Sequence, residues 1–260
     1  MGYRLSLLEK SPLDEHEDAA GALRRTLELA RNAERWGYHR FWLAEHHNTD
    51  KLAISSPEFV ICWILAHTQQ LRVGSGVVML QHYSPYKVSE NFNQLASLAP
   101  GRVDIGIGKA PGGLPLSTHA LQYAVDPARK GDFAEQLRQL DDWLSVPVRG
   151  KDADALSATP QPPQSASRFL LGASEQSARL AASLGWNFVF AAHLNADERD
   201  ISSALSAYSH DSHGKRALLA VPVIVADTTE QAARLVDKTH RYSVITSYVQ
   251  IVIVGSQEQV

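Results

Sequence analysis

The sequence predicts an α/β fold in which eight parallel strands, each followed by a helix, close into a (β/α)₈ barrel, or TIM barrel. Three observations predict it. Short apolar runs alternate with longer amphipathic segments along the whole chain. Several of the short runs are continuously apolar, as expected of parallel strands covered on both faces. The length, 260 residues, is close to what one such barrel needs.

The elements follow in order. YRLSLL (3–8) reads as a strand and 20–36 as a helix, where Leu23, Leu27, Ala30, Ala33 and Trp36 recur at helical spacing before Gly37 stops it. FWLAE (41–45) precedes a helix over 57–68; LRVGSGVVML (71–80) precedes one over 85–98. RVDIGIG (102–108) is followed by a loop at 114–130 and a helix over 131–145. The polar, proline-bearing stretch 149–167 reads as a surface loop, because the same rhythm continues on both sides. FLLGA (169–173) then leads into 174–185, FVFAA (188–192) into 197–208, and LLAVPVIVA (218–226) into 228–242. VQIVIVG (249–255) reads as the eighth strand. Only Ser256 to Val260 follow it, so the last helix is missing, and 1–260 reads as a single barrel domain truncated at its C-terminus and in loops.

Composition narrows the function classes. A net charge of −3 with scattered basic residues gives no footprint for nucleic acid. Cys62 is the only cysteine, which excludes an internal disulfide and a multi-cysteine metal site; inside FVICWIL it reads as a buried thiol. The N-terminus carries acids and a proline where a signal peptide needs an apolar core, and no run is long enough to cross a membrane. A cytoplasmic location is expected.

Barrel enzymes place their chemistry at the C-terminal ends of the strands, so the turns there were searched. In AEHHNTD (44–50), Glu45, His46 and His47 are consecutive, and alternation puts one histidine in the mouth, where it suits acid–base work near neutral pH. No obvious set of metal ligands accompanies it. Two glycines inside VGSGVVML (73–80) mark either a bulge against something flat or tight packing. GRVDIGIGKAPGG (101–113) frees the backbone and brings Lys109 to the same turn, although Pro111 breaks any G-x-G-x-x-G fingerprint. In LGASEQSARLA (171–181), Ser174 and Ser177 open a helix, and that turn is either a phosphate cradle or a plain serine cap. One common cause fits all four turns: a flat, phosphate-bearing cofactor beside a histidine.

With these residues in view, the sequence resembles the bacterial luciferase-like monooxygenase superfamily over essentially its whole length. The resemblance is carried by GYHRFWLAEHH, RVGSGVVMLQHYSPYKVSE, PGRVDIGIGKAPGG and LGASEQSA, in the family's order. It implies a barrel that binds reduced FMN, or a related deazaflavin, at the C-terminal strand ends. By position, His46 matches the histidine implicated in the flavin's oxygen chemistry, with Glu45 beside it. Gly76 and Val77 match a site where the family often has a non-proline cis peptide beneath the flavin ring. Lys109 stands where the family usually has arginine, a departure that keeps the charge and loses the bidentate fork. Ser174, Glu175, Gln176 and Ser177 match the phosphate turn. His82, Tyr83 and His193 border the expected substrate pocket, or pack.

The resemblance implies a monooxygenase that takes reduced FMN from a separate flavin reductase, reacts it with O₂ and oxidises a small organic substrate. It also implies a homodimer. The alternatives are a deazaflavin-dependent hydride-transfer enzyme on the same fold, a catalytically idle flavin-binding protein and, from another class, a metal-dependent barrel hydrolase.

Overall fold

Asp18 starts the first helix: its carboxylate accepts the Gly21 amide at 2.7 Å, and helix α1 (Ala19–Arg35) then turns Ala22, Leu27, Ala30 and Ala33 inward. The computed structural model that shows this describes residues 3–145, 156–238, 242–245 and 251–254. The chain packs as two units, 1–220 and 221–260.

In the first unit the strands are β1 (Ser6–Glu9), β2 (Arg40–Leu43), β3 (Arg72–Ser75), β4 (Val78–Met79), β5 (Val103–Gly108), β6 (Ser167–Gly172), β7 (Asn187–Ala191) and β8 (Leu218–Ala220). They form one wholly parallel sheet in chain order, in which β3 and β4 are two halves of one broken strand and both pair with β5. Between them lie α2 (Pro57–His67), α3 (Pro85–Leu98), α4 (Pro115–Leu121), α5 (Pro127–Lys130), α6 (Phe133–Ser145), α7 (Glu175–Ser183) and α8 (Glu198–Asp211). The core joins strand residues Phe41, Leu43, Val73 and Ile105 to helix residues Ile61, Ile64, Phe92 and Leu137. Among the described residues no helix is long and apolar enough to cross a membrane.

The N-terminal ends of the strands are closed by charge. Asp104 is fully buried and accepts from Arg40 Nε at 2.9 Å and from Arg72, whose guanidinium also reaches Ser167 Oγ at 2.9 Å. The pairings Arg40–Arg72 and Asp104–Ser167 stack these residues in one layer, so each buried charge is partnered. This layer lies at the opposite end of the sheet from the strand-end turns.

Several expectations need correction. The expected parallel α/β sheet is present as a curled half-barrel, and among the described residues no ladder joins β8 to β1. The segment expected as the eighth barrel strand, β10 (Ile251–Val254), instead pairs antiparallel with β9 (Tyr242–Ile245) in the second unit. The reason is the link between them, residues 246–250: a parallel crossover needs about a dozen residues or more, whereas a short link permits antiparallel pairing. The ends 249–250 and 255 of that expected strand lie outside the described residues. The run 218–226 is strand only to Ala220, because Pro222 has no N–H for a ladder. Helix α9 (Thr229–Lys238) falls short of the expected 228–242; residues 239–241 lie outside the described residues, and Tyr242 is already strand. The loop at 114–130 contains α4 and α5, each begun by a proline. The expected loop 149–167 gives way to β6 at Ser167, and its part 149–155 lies outside the described residues. Cys62 is exposed, not buried: α2 is apolar all round, and while Val60, Ile61, Ile64 and Leu65 face the core, Phe59 and Cys62 face out.

Candidate functional site

A cavity of about 650 Å³ opens at the C-terminal ends of the strands, and each turn contributes to its wall. Lys10 follows β1, His46 follows β2, and Gly76 and Val77 lie in the break of the third strand. Lys109 follows β5, Gln176 and Ser177 open α7 beyond β6, and His193 follows β7.

Consecutive residues after β2 part company, as alternation requires. The His46 amide donates to Ile54 O at 3.0 Å while its ring enters the cavity wall, where Nδ1 is buried with no hydrogen-bond partner. Burial, then the charges of Lys10 and His47, lower the His46 pKa to about 4, so the ring is neutral at neutral pH. His47 turns the other way and donates from Nε2 to Glu45 Oε1 at 2.7 Å.

Glu45 is 1% exposed and does not reach the cavity. Besides His47, its carboxylate accepts the Met79 amide at 3.1 Å and the Tyr83 hydroxyl at 2.9 Å. Burial and the adjacent Glu45 carboxylate push the Tyr83 phenol up, so it stays a donor. His82 donates from Nε2 to Pro111 O at 2.8 Å and accepts Gln122 Nε2 on Nδ1 at 3.0 Å. Thus Glu45, His82 and Tyr83, read from the sequence as cofactor and substrate contacts, sit behind the wall and fasten the strand-end turns to one another.

Gly76 has no room for a side chain: a Cβ there would lie 2.8 Å from Leu8 Cδ1 and 2.9 Å from Trp42 Cβ. Its amide donates to Leu43 O at 2.7 Å, and the Gly76–Val77 peptide is cis. Gly76 and Val77 both line the cavity, and at Gly76 only backbone is available to do so.

At the α7 turn, Ser174 Oγ accepts the Ser177 amide at 3.3 Å and lies 3.1 Å from Ser177 Oγ. The Glu175 and Gln176 amides belong to a first helical turn, where no intrahelical acceptor exists. The Glu175 carboxylate is drawn outward by Arg179, 2.7 Å away, and by Ser203. An anion approaching the turn therefore meets amides and hydroxyls rather than that acid. Of the four residues expected here, Gln176 and Ser177 line the cavity; Ser174 and Glu175 do not.

Lys10, Asp132 and Arg138 also line the cavity and were not singled out in the sequence. For Lys10 the signal was its place directly after the first strand. Arg138 carries no such signal, because only the packing of α6 brings it there. Among the described residues no three His, Cys, Asp or Glu side chains are placed to hold a metal ion. The wall that remains fits a planar group carrying a phosphate: cations and open amides, glycine backbone, and the His46 imidazole in the same wall.

Comparison with known proteins points the same way. Residues 4–258 match the family model described as luciferase-like monooxygenase. N-acetyl-S-alkylcysteine monooxygenase of Bacillus subtilis (strain 168) is 44% identical, over 98% of this chain and 78% of its own. The structure of apo-MsnO8 superposes with a TM-score of 0.80 at 35% identity, covering 90% of this chain and 70% of that one. The oxygenating constituent of 3,6-diketocamphane monooxygenase from Pseudomonas putida, in complex with FMN, shares the fold: TM-score 0.70, 21% identity, 91% of this chain and 71% of that one.

Proposed function

Because the chain belongs to the luciferase-like monooxygenase family, we propose that it is a monooxygenase using reduced FMN and O₂ on a small organic substrate. The observation that carries this reading is the cavity itself, whose wall brings the His46 imidazole together with Lys109 and the first turn of α7.

Lys109 and the α7 turn would hold the phosphate, through charge and through the amides and hydroxyls of 174–177. Gly76 and Val77 would support the ring system. Reduced flavin, when bound, supplies the electrons and the site of O₂ activation; the hard chemistry is the cofactor's. The chain's own part is to bind, orient and shield. Its His46, neutral at neutral pH, is ready to accept or hold a proton at Nδ1. Leu8, Val77, Met79 and Leu194 give the cavity apolar walls that exclude water from the reacting atoms.

The cofactor arrives as a diffusible reduced flavin from a separate reductase, and the enzyme works in the cytoplasm as a homodimer. The apolar outer face of α2 and the end of α3, with Phe59 78% and Leu98 65% exposed beside Cys62, is where a second copy would pack.

The test is anaerobic titration of the purified protein with reduced FMN and with a reduced deazaflavin, followed by admission of O₂. Saturable FMN binding, with flavin reoxidation at a rate different from that of free reduced FMN, supports the reading. Preference for the deazaflavin replaces FMN as the cofactor, and failure to bind either overturns the flavin reading.

A further inference from the structure

The cavity wall carries three cations, Lys10, Lys109 and Arg138, and one acid, Asp132. Asp132 is already engaged, its Oδ1 accepting the Glu135 amide at 2.8 Å at the start of α6. A phosphate at the α7 turn would satisfy Lys109, which follows the neighbouring β5. It would leave Lys10 unanswered. Among the described residues Lys10 makes no hydrogen bond or ion pair. The adjacent Glu9 does not serve it: Glu9 Oε1 accepts the Ser11 amide at 2.6 Å and faces Thr26 Oγ1 at 3.4 Å, toward α1.

Lys10 shares the cavity wall with histidines from two other strand ends. His46 follows β2 and His193 follows β7, near opposite ends of the sheet order, yet the Lys10 charge acts on both. All three line one space, together with Leu8, Ala191 and Leu194. Both imidazoles are held below the ordinary histidine value, first of all by burial, so Lys10 is the formal charge of this group at neutral pH. A cation with no counter-ion among the described residues, sharing one cavity with two imidazoles and apolar side chains, is complementary to an organic anion with a short apolar chain.

We propose that Lys10 anchors a carboxylate of the substrate, with the His193 imidazole beside it, and that the protein acts on small organic acids. The inference rests on the flavin reading only in assigning the Lys10 region of the cavity to the substrate.

Hexanoate and hexanamide, alike in chain and shape, are titrated calorimetrically into the wild type, Lys10→Gln and Lys109→Gln; reduced FMN is titrated anaerobically into the same proteins. The wild type is expected to prefer hexanoate by about ten-fold or more, and Lys10→Gln to bring the two within about two-fold. Lys109→Gln should keep the preference, and Lys10→Gln should leave FMN affinity within about two-fold of the wild type. Equal binding of acid and amide, binding of neither, or a preference that vanishes with Lys109 and survives in Lys10→Gln overturns the proposal. If none of the proteins binds reduced FMN while the Lys10-dependent preference holds, the acid site stands and the flavin reading falls.

Discussion

Gly172, the last residue of β6, faces Ser177 so closely that a Cβ on it would lie 2.3 Å from the Ser177 Cβ. The strand end and the first turn of α7 are thus fitted to each other without room for one methyl group. Gly172→Ala is expected to cost about 1–3 kcal/mol through overpacking. It should also weaken reduced FMN binding by displacing the turn. Thermal unfolding and anaerobic flavin titration measure the two; a variant with unchanged melting and affinity contradicts the fit.

Replacing Lys109 with Ala removes the charge proposed for the phosphate. Hydrogen bonds to charged groups contribute roughly 1.5–3 kcal/mol, so reduced FMN should bind about ten- to a hundred-fold more weakly. Reduced riboflavin, which lacks the phosphate, should lose little. Equal losses for the two flavins would remove Lys109 from the phosphate site.

His46→Ala should depress substrate oxidation severely while flavin affinity stays nearly intact, because the ring is proposed to handle a proton rather than hold the cofactor. Single-turnover oxidation by preloaded enzyme, set beside the flavin dissociation constant, separates the two. Normal turnover would remove His46 from the chemistry.

The same histidine has a stability signature. Its folded pKa, about 4, lies below the ordinary 6.5, so between these values the unfolded chain binds the extra proton. The proton-linked penalty of burying His46 is therefore absent at pH 7, and it grows as pH falls from 6.5 toward 4, below which it is constant. The melting temperature of His46→Gln relative to the wild type should rise over that window and not above it. A pH-independent difference would show that the ring titrates normally.

Asp104→Asn should destabilise by about 3–5 kcal/mol, since Arg40 and Arg72 would be left without their buried counter-charge. The residue lies at the other end of the sheet from the cavity, so flavin affinity per folded molecule should not change. Denaturant unfolding and flavin titration decide.

Phe59→Asp places a charge on the apolar outer face of α2 without touching the core. Light scattering after gel filtration is expected to show a dimeric wild type and a monomeric variant, each with native circular dichroism. A dimeric variant moves the interface elsewhere.

Much of the architecture was legible from residue order alone. The alternation of apolar runs and helical patterns, and the turns that bear His46, Gly76, Lys109 and Ser177, depend on neighbours two to four positions apart. Such periodicities are local, so one chain suffices to read them. What tertiary structure decided depends on residues far apart in sequence. The chain after Ala220 breaks at Pro222, and Ile251–Val254 pairs with Tyr242–Ile245 rather than with the parallel sheet, because the length of the link decides between parallel and antiparallel pairing. Glu45, His82 and Tyr83 were candidates for contact with ligands, but hydrogen bonds to Met79 and Pro111, and the one from Tyr83 to Glu45, draw them behind the wall. Lys10 enters the cavity because the sheet gathers distant strand ends around one space, and Arg138 because α6 packs beside it; a charge has no sequence signature for the cavity it faces.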